Sequence, residues 1–78
     1  MPTVLIVGPY RFFFFSRENQ EPPHIHVERD DAYAKFWLEP VALAQSRQFR
    51  SHDLTELLKI VIANRDLFLR RWHEHFGR

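Results

Sequence analysis

Glu21-Pro22-Pro23-His24-Ile25-His26-Val27-Glu28 is the one stretch of this chain where polar chemistry is arranged rather than scattered. Proline fixes its own φ and pushes the preceding residue out of the helical region, so Pro22-Pro23 enforces an extended approach. On the strand that follows, His24 and His26 share a face, roughly 7 Å apart along it, and Ile25 and Val27 face the other way. Two imidazoles so placed can bind a metal, act as an acid/base pair, bind phosphate, or pack and hydrogen-bond as structural groups.

For metal binding, a His-x-His pair is a half-site for zinc or another divalent ion and needs a third ligand. Glu28 continues the same face and completes a set of His24, His26 and Glu28; His52, His73, His75 and Glu39 are alternatives. His73 and His75 are two apart on a helix and point about 200° apart, so they cannot share one ion. For acid/base chemistry, metal-free RNA cleavage needs a base for the ribose 2′-hydroxyl and an acid for the leaving oxygen. Imidazole suits both roles near neutrality. His24 and His26 would flank the phosphodiester, with Arg17 in the preceding loop or Lys35 on the partner strand stabilising the developing charge. Structurally, paired strand histidines satisfy buried carbonyls or carboxylates, or pack at a seam between chains.

The elements that must position these residues follow from alternation and turn signals. Val4–Val7 reads as a strand, Gly8-Pro9 as a turn and Tyr10–Ser16 as a second strand, together a hairpin. Arg17–Pro23 is a polar loop. His24–Glu28 and Ala32–Leu38 form a second hairpin across Arg29-Asp30-Asp31, stopped by Glu39-Pro40, with Val41–Ala44 as a short edge strand. A helix begins near Ser51, read as its N-cap, with Asp53 and Glu56 in the first turns, where the helix dipole favours negative charge. Leu54, Leu57, Leu58, Val61, Ile62, Phe68, Leu69, Trp72 and Phe76 recur at helical spacing, interrupted at Asn64-Arg65-Asp66, where a kink is expected, and Gly77 is a stop. The expected fold is therefore one α+β domain over residues 1–78: an antiparallel sheet of four to five strands in two hairpins, followed by one long C-terminal helix packed on one face.

Two strands are apolar on both sides. Tyr10, Phe12 and Phe14 alternate with Phe13 and Phe15, and Tyr33 and Trp37 alternate with Phe36 and Leu38. One helix covers one face, so the other face calls for a homodimer or a small protein partner. Alternatively these aromatics form a base-stacking platform for RNA, with Arg11, Arg17 and Lys35 beside them and Arg70 and Arg71 on the helix as further phosphate contacts.

Composition bounds the rest. Seventy-eight residues make one small domain near the lower limit for a self-sufficient core. The absence of cysteine excludes disulfides and fits a reducing cytoplasm. No basic leader or membrane-length apolar run is present, so a cytoplasmic protein without membrane association is expected. Net charge is +1, but residues 17–40 carry three Lys/Arg against six Asp/Glu, and residues 59–78 carry five against two. There is no Gly-rich phosphate loop, nucleophile elbow or His-Glu-x-x-His pattern, and Ser16, Ser46 and Ser51 lack a triad context, so no cofactor is implied beyond a divalent metal.

Taken together, Tyr10-Arg11-Phe12-Phe13-Phe14-Phe15-Ser16, Glu21-Pro22-Pro23-His24-Ile25-His26-Val27, Ala34-Lys35-Phe36-Trp37-Leu38-Glu39-Pro40 and Trp72-His73-Glu74-His75-Phe76 resemble a family of small bacterial and archaeal domains of unknown function. The resemblance runs nearly end to end, and the Pro-Pro-His-Ile-His block is its most specific part. Members of that family are grouped with toxin–antitoxin-like pairs and encoded beside another small domain. The resemblance implies a cytoplasmic prokaryotic protein with a small partner; it assigns no activity and no catalytic residue. The leading functional expectation is an interaction module of such a pair, binding itself or a partner through its aromatic sheet face, with a nucleic-acid or metal role at the His24/His26 strand. The alternative is a small ribonuclease using His24 and His26.

Overall fold

The computed structural model describes residues 3–16 and 20–77. Five antiparallel strands form a single sheet in chain order: β1 (Thr3–Val7), β2 (Tyr10–Phe13), β3 (His24–Arg29), β4 (Ala32–Leu38) and β5 (Val41–Arg47). Two-residue connections close three of its hairpins. Val7 pairs with Tyr10 across Gly8-Pro9, Arg29 with Ala32 across Asp30-Asp31, and Leu38 with Val41 across Glu39-Pro40, whose peptide bond is cis. Gly8 has φ 57°, a left-handed value that glycine adopts without steric cost. The α+β class and the antiparallel sheet match expectation. The sheet is a continuous meander, and β5 runs to Arg47, longer than the short edge strand expected.

The single long helix is corrected to two, α1 (Ser51–Ala63) and α2 (Arg65–Phe76). Asn64 separates them with φ −111° and ψ 15°. Its side-chain amide donates to the Ile60 carbonyl at 2.9 Å, the same oxygen its backbone N–H reaches at 3.0 Å. Arg65 then donates through Nε to the Leu38 carbonyl at 2.8 Å, tying the joint to the end of β4. The apolar periodicity crosses this break because Phe68 and Trp72 continue the buried stripe of Leu57 and Val61. The helix start is also corrected: Arg50 is the cap and Ser51 the first helical residue.

Both helices lie on one sheet face. Tyr10, Phe12, Phe14, Ile25, Val27, Ala34, Phe36 and Leu38 meet Leu57, Val61, Phe68 and Trp72 in one buried cluster. Alternation therefore directs Arg11, Phe13, His26, Glu28, Tyr33, Lys35 and Trp37 to the face the helices leave open.

A second polar contact, beside that of Arg65, pins the helical layer. Arg29 of β3 donates to both Asp53 carboxylate oxygens, at 3.4 and 3.3 Å, and its guanidinium sits over the Tyr10 and Phe49 rings. Asp53 also accepts the Arg50 backbone N–H at 3.2 Å. Its carboxyl is held below the usual range, first by the Arg29 hydrogen bond and then by the Arg50 N–H. A folded-state pKa below the unfolded value contributes stability that is full above the unfolded carboxylate pKa and lost as pH falls through the folded one. Denaturant unfolding of wild type and Asp53→Asn at pH 7 and pH 3 should show the variant less stable at pH 7 and the gap closing at pH 3. A gap unchanged with pH would remove Asp53 from the acid response.

Candidate functional site

β2 ends at Phe13, which lies opposite His26, while β3 continues toward its start at His24. His24 thus has a strand neighbour on the β4 side only, Trp37. Trp72 of α2 fills the place β2 leaves, its ring centroid 4.9 Å from that of His24. His24 also meets His26 edge-on at 4.9 Å and Trp37 at 5.6 Å. It is 0% exposed. Its Nδ1 lies 2.9 Å from the Pro22 carbonyl oxygen; a carbonyl only accepts, so Nδ1 carries a proton and donates.

His26 is the hub of the open face. It stacks on Phe13 at 5.4 Å and Tyr33 at 5.8 Å, with interplanar angles of 27° and 25°, and meets Phe15 edge-on at 4.5 Å. Its Nδ1 shares a hydrogen bond with the Tyr33 hydroxyl at 2.7 Å. Only 2% of it is exposed. Cations cover the outer rings: Arg11 over Phe13 at 4.6 Å, Arg47 over Tyr33 at 5.2 Å, and Lys35 Nζ over Trp37 at 4.5 Å. Such contacts join a ring's negative face to a positive charge while the alkyl stem shields apolar surface.

Among the described residues, two of the three cations on this face, Arg11 and Lys35, are matched by carboxylates, and Arg47 is not. Arg11 pairs with Glu28 and also donates to Thr3 Oγ1 at 2.8 Å. Lys35, directly opposite His26 in the β3–β4 register, pairs with Glu21 at 2.7 Å. Beside His26 lies an open cleft of about 350 Å³, walled by Phe15, Gln20, Glu21, Tyr33, Lys35 and Gln45. It offers aromatic floor, two amides, and one charge of each sign. That is a surface for a mixed polar and apolar ligand.

The structure brings together His24, His26 and Lys35, with Arg11 and Glu28 at the margin of the same face. Arg17 lies outside the described residues. Arg70 and Arg71 are exposed on α2, in the helical layer, and do not join the histidine cluster. The metal set of His24, His26 and Glu28 is not assembled: among the described residues no group of three or more His, Cys, Asp or Glu is placed to hold an ion. Glu28 is engaged by Arg11, and His24 Nδ1 is turned to Pro22. Sequence reasoning missed Tyr33 and Glu21 as partners of the site. The tight Asp30-Asp31 turn was the available signal for Tyr33, since pairing Arg29 with Ala32 sets Tyr33 diagonal to His26.

The fold and site define a small α+β domain with a helix-covered sheet face and an open face of rings capped by cations. The chain belongs to the family described as a domain of unknown function (DUF4160), whose model matches residues 10–73. That span includes every residue of the histidine cluster; β1 and the end of α2 lie outside it. No curated protein and no solved structure matches the chain.

Tyr33→Phe keeps the ring stack and removes the hydroxyl from His26. Taking one partner from a buried hydrogen bond costs about 1–3 kcal/mol. Denaturant unfolding should show a loss in that range with an unchanged far-ultraviolet circular dichroism spectrum. A neutral substitution would mean that the hydroxyl contributes nothing to holding His26.

Proposed function

We propose that this chain is a small interaction module, the binding member of a toxin–antitoxin-like pair, and that it engages a partner protein through the open face of its sheet. The observation that carries this reading is the burial of both imidazoles among packed rings, His24 at 0% and His26 at 2% exposure. Acid/base work on RNA requires both to reach a phosphodiester and exchange protons with it. His24 instead spends Nδ1 on a backbone carbonyl and is enclosed by Trp37, His26 and Trp72.

Charge favours a protein over a polyanion as the occupant. Arg11 and Lys35 are each matched by a carboxylate on the same face, so an incoming phosphate would meet Glu28 and Glu21 as well as the cations. Ring faces that a base would stack on are covered by those cations. Apolar contact is offered instead by Phe15, 40% exposed at the wall of a cleft of mixed polarity, and by Ile6, 66% exposed on the β1 edge of the same face. A centre of aromatic and apolar side chains with a polar rim is the usual anatomy of a protein–protein contact.

The test is co-expression with the small protein encoded beside it, as the resemblance implies, using wild type and Phe15→Asp. Phe15 is 40% exposed but meets His26 and Phe13, so a far-ultraviolet circular dichroism spectrum matching that of the wild type is the check that the variant keeps its fold. Wild type should co-elute with that protein, Phe15→Asp should not, and purified wild type should leave single-stranded RNA intact. Absence of co-elution, equal co-elution by the variant, or RNA cleavage by the wild type would each overturn this reading.

A further inference from the structure

β5 is an edge strand: it has β4 on one side and no strand on the other among the described residues. Every residue from Ala42 to Arg47 is exposed. An edge presents a row of N–H and C=O groups, and proteins commonly guard it with charge, proline or a short strand. Val41-Ala42-Leu43-Ala44-Gln45-Ser46 has no charge and no proline, and β5 spans seven residues against five for the other edge, β1. Its protective devices are a register shift against β4, where Gln45 and Leu43 flank an extra residue, Ala44, and the charge of Arg47 at the end of the strand. The segment Val41–Leu43 before it pairs regularly.

Next to that segment an apolar groove of about 240 Å³ runs between β5 and α1. Phe36, Val41, Leu43, Leu54 and Leu58 line it, with Thr55. Leu54, Leu58 and Ile62 follow one another at i, i+4 along α1, so the groove is flanked by a helical ridge. Leu43 and Ile62 are 43% and 57% exposed.

We propose that this edge is where a second copy of the chain docks. β5 pairs antiparallel with β5 of the other copy about a two-fold axis centred near Ala42, and the two α1 ridges meet beside it. A two-fold contact uses the same patch twice, so the patch must fit itself. This one does. A register centred on Ala42 sets Leu43 opposite Val41 of the other copy, an apolar cross-strand pair over the groove. No like charges are brought face to face, because residues 41–46 carry none. A charged peptide would find no counter-charge in the groove lining. The pairing joins two five-stranded sheets into one of ten strands, with both helical layers on one side and both open faces on the other. The dimer would then display the proposed binding face twice. The surface uses residues distinct from that face, so failure here leaves the partner-binding reading standing.

Sedimentation velocity over a wide concentration range tests it, with Leu43→Lys and, as a control on the opposite edge, Ile6→Lys. Wild type and Ile6→Lys should approach twice the 9.5 kDa chain mass. Leu43→Lys should weaken association by about tenfold or more, because its ammonium would have to leave water among leucines. Amide exchange gives a readout free of any variant: β5 amides of the wild type should slow as concentration rises. A wild type that stays monomeric, a Leu43→Lys variant as dimeric as wild type, dissociation by Ile6→Lys alone, or concentration-independent exchange in β5 would overturn the proposal. Slowing of β5 exchange only on addition of a different protein would also overturn it, in favour of strand addition by a foreign segment.

Discussion

Strands apolar on both faces, in a chain whose helices cover only one, are the constraint from which the rest of this structure follows. β2 and β4 carry aromatic side chains up and down, and α1 and α2 pack on the Phe12, Phe36 and Leu38 side. The remaining rings are buried largely by one another and by the stems of Arg11, Lys35 and Arg47. Water is excluded from Phe13 and His26 without a third layer. The arrangement is compact but leaves exposed apolar surface at its margins, at Ile6 and Phe15 on the open side and at Leu43 and Ile62 beside the β5 edge. Those margins are where association is expected.

Within that scheme the histidines join packing to hydrogen bonding. An imidazole is a flat ring that stacks like phenylalanine and also carries two nitrogens. His24 uses one to secure the Pro22 carbonyl, fixing the loop that enters β3. His26 uses one on the Tyr33 hydroxyl, fastening β3 to β4 on the open side. Neither bond could be made by the phenylalanine that the packing alone would accept. His24 further couples the two layers, since Trp72 reaches it from α2 past the end of β2. The open face and the helical core are therefore mechanically joined at one side chain.

Much of the architecture was legible in the residues. Alternation and the turn signals at Gly8-Pro9, Asp30-Asp31 and Glu39-Pro40 mark β1, β3 and β4 nearly to their ends, because each turn type demands those residues; β2 ends at Phe13, three residues short of the expected Ser16. The length of β5 was not legible: its small, polar residues lack the alternation of a half-buried strand, and its pairing depends on β4. The break at Asn64 was visible as an interruption, yet the apolar stripe continues through it, and only the Asn64 and Arg65 contacts to carbonyls divide the helix. Which face the helices cover was undecidable from a strand apolar on both sides, and with it the burial of the histidines. Tyr33 and Glu21 entered the site through register and loop placement, which pattern alone does not fix. His24, His26 and Lys35 were readable because they lie on one strand and directly across from it.

The claim that His24 and His26 hold the fold together is tested most directly by the thermal unfolding of the His24→Ala/His26→Ala double variant. Replacing two buried rings by alanine leaves cavities and orphans the groups that bonded them, and a buried aromatic-to-alanine change typically costs about 3–5 kcal/mol. If the claim holds, the unfolding midpoint falls steeply or the chain no longer folds cooperatively. A double variant that melts with the wild type would contradict it and return the two imidazoles to a chemical role.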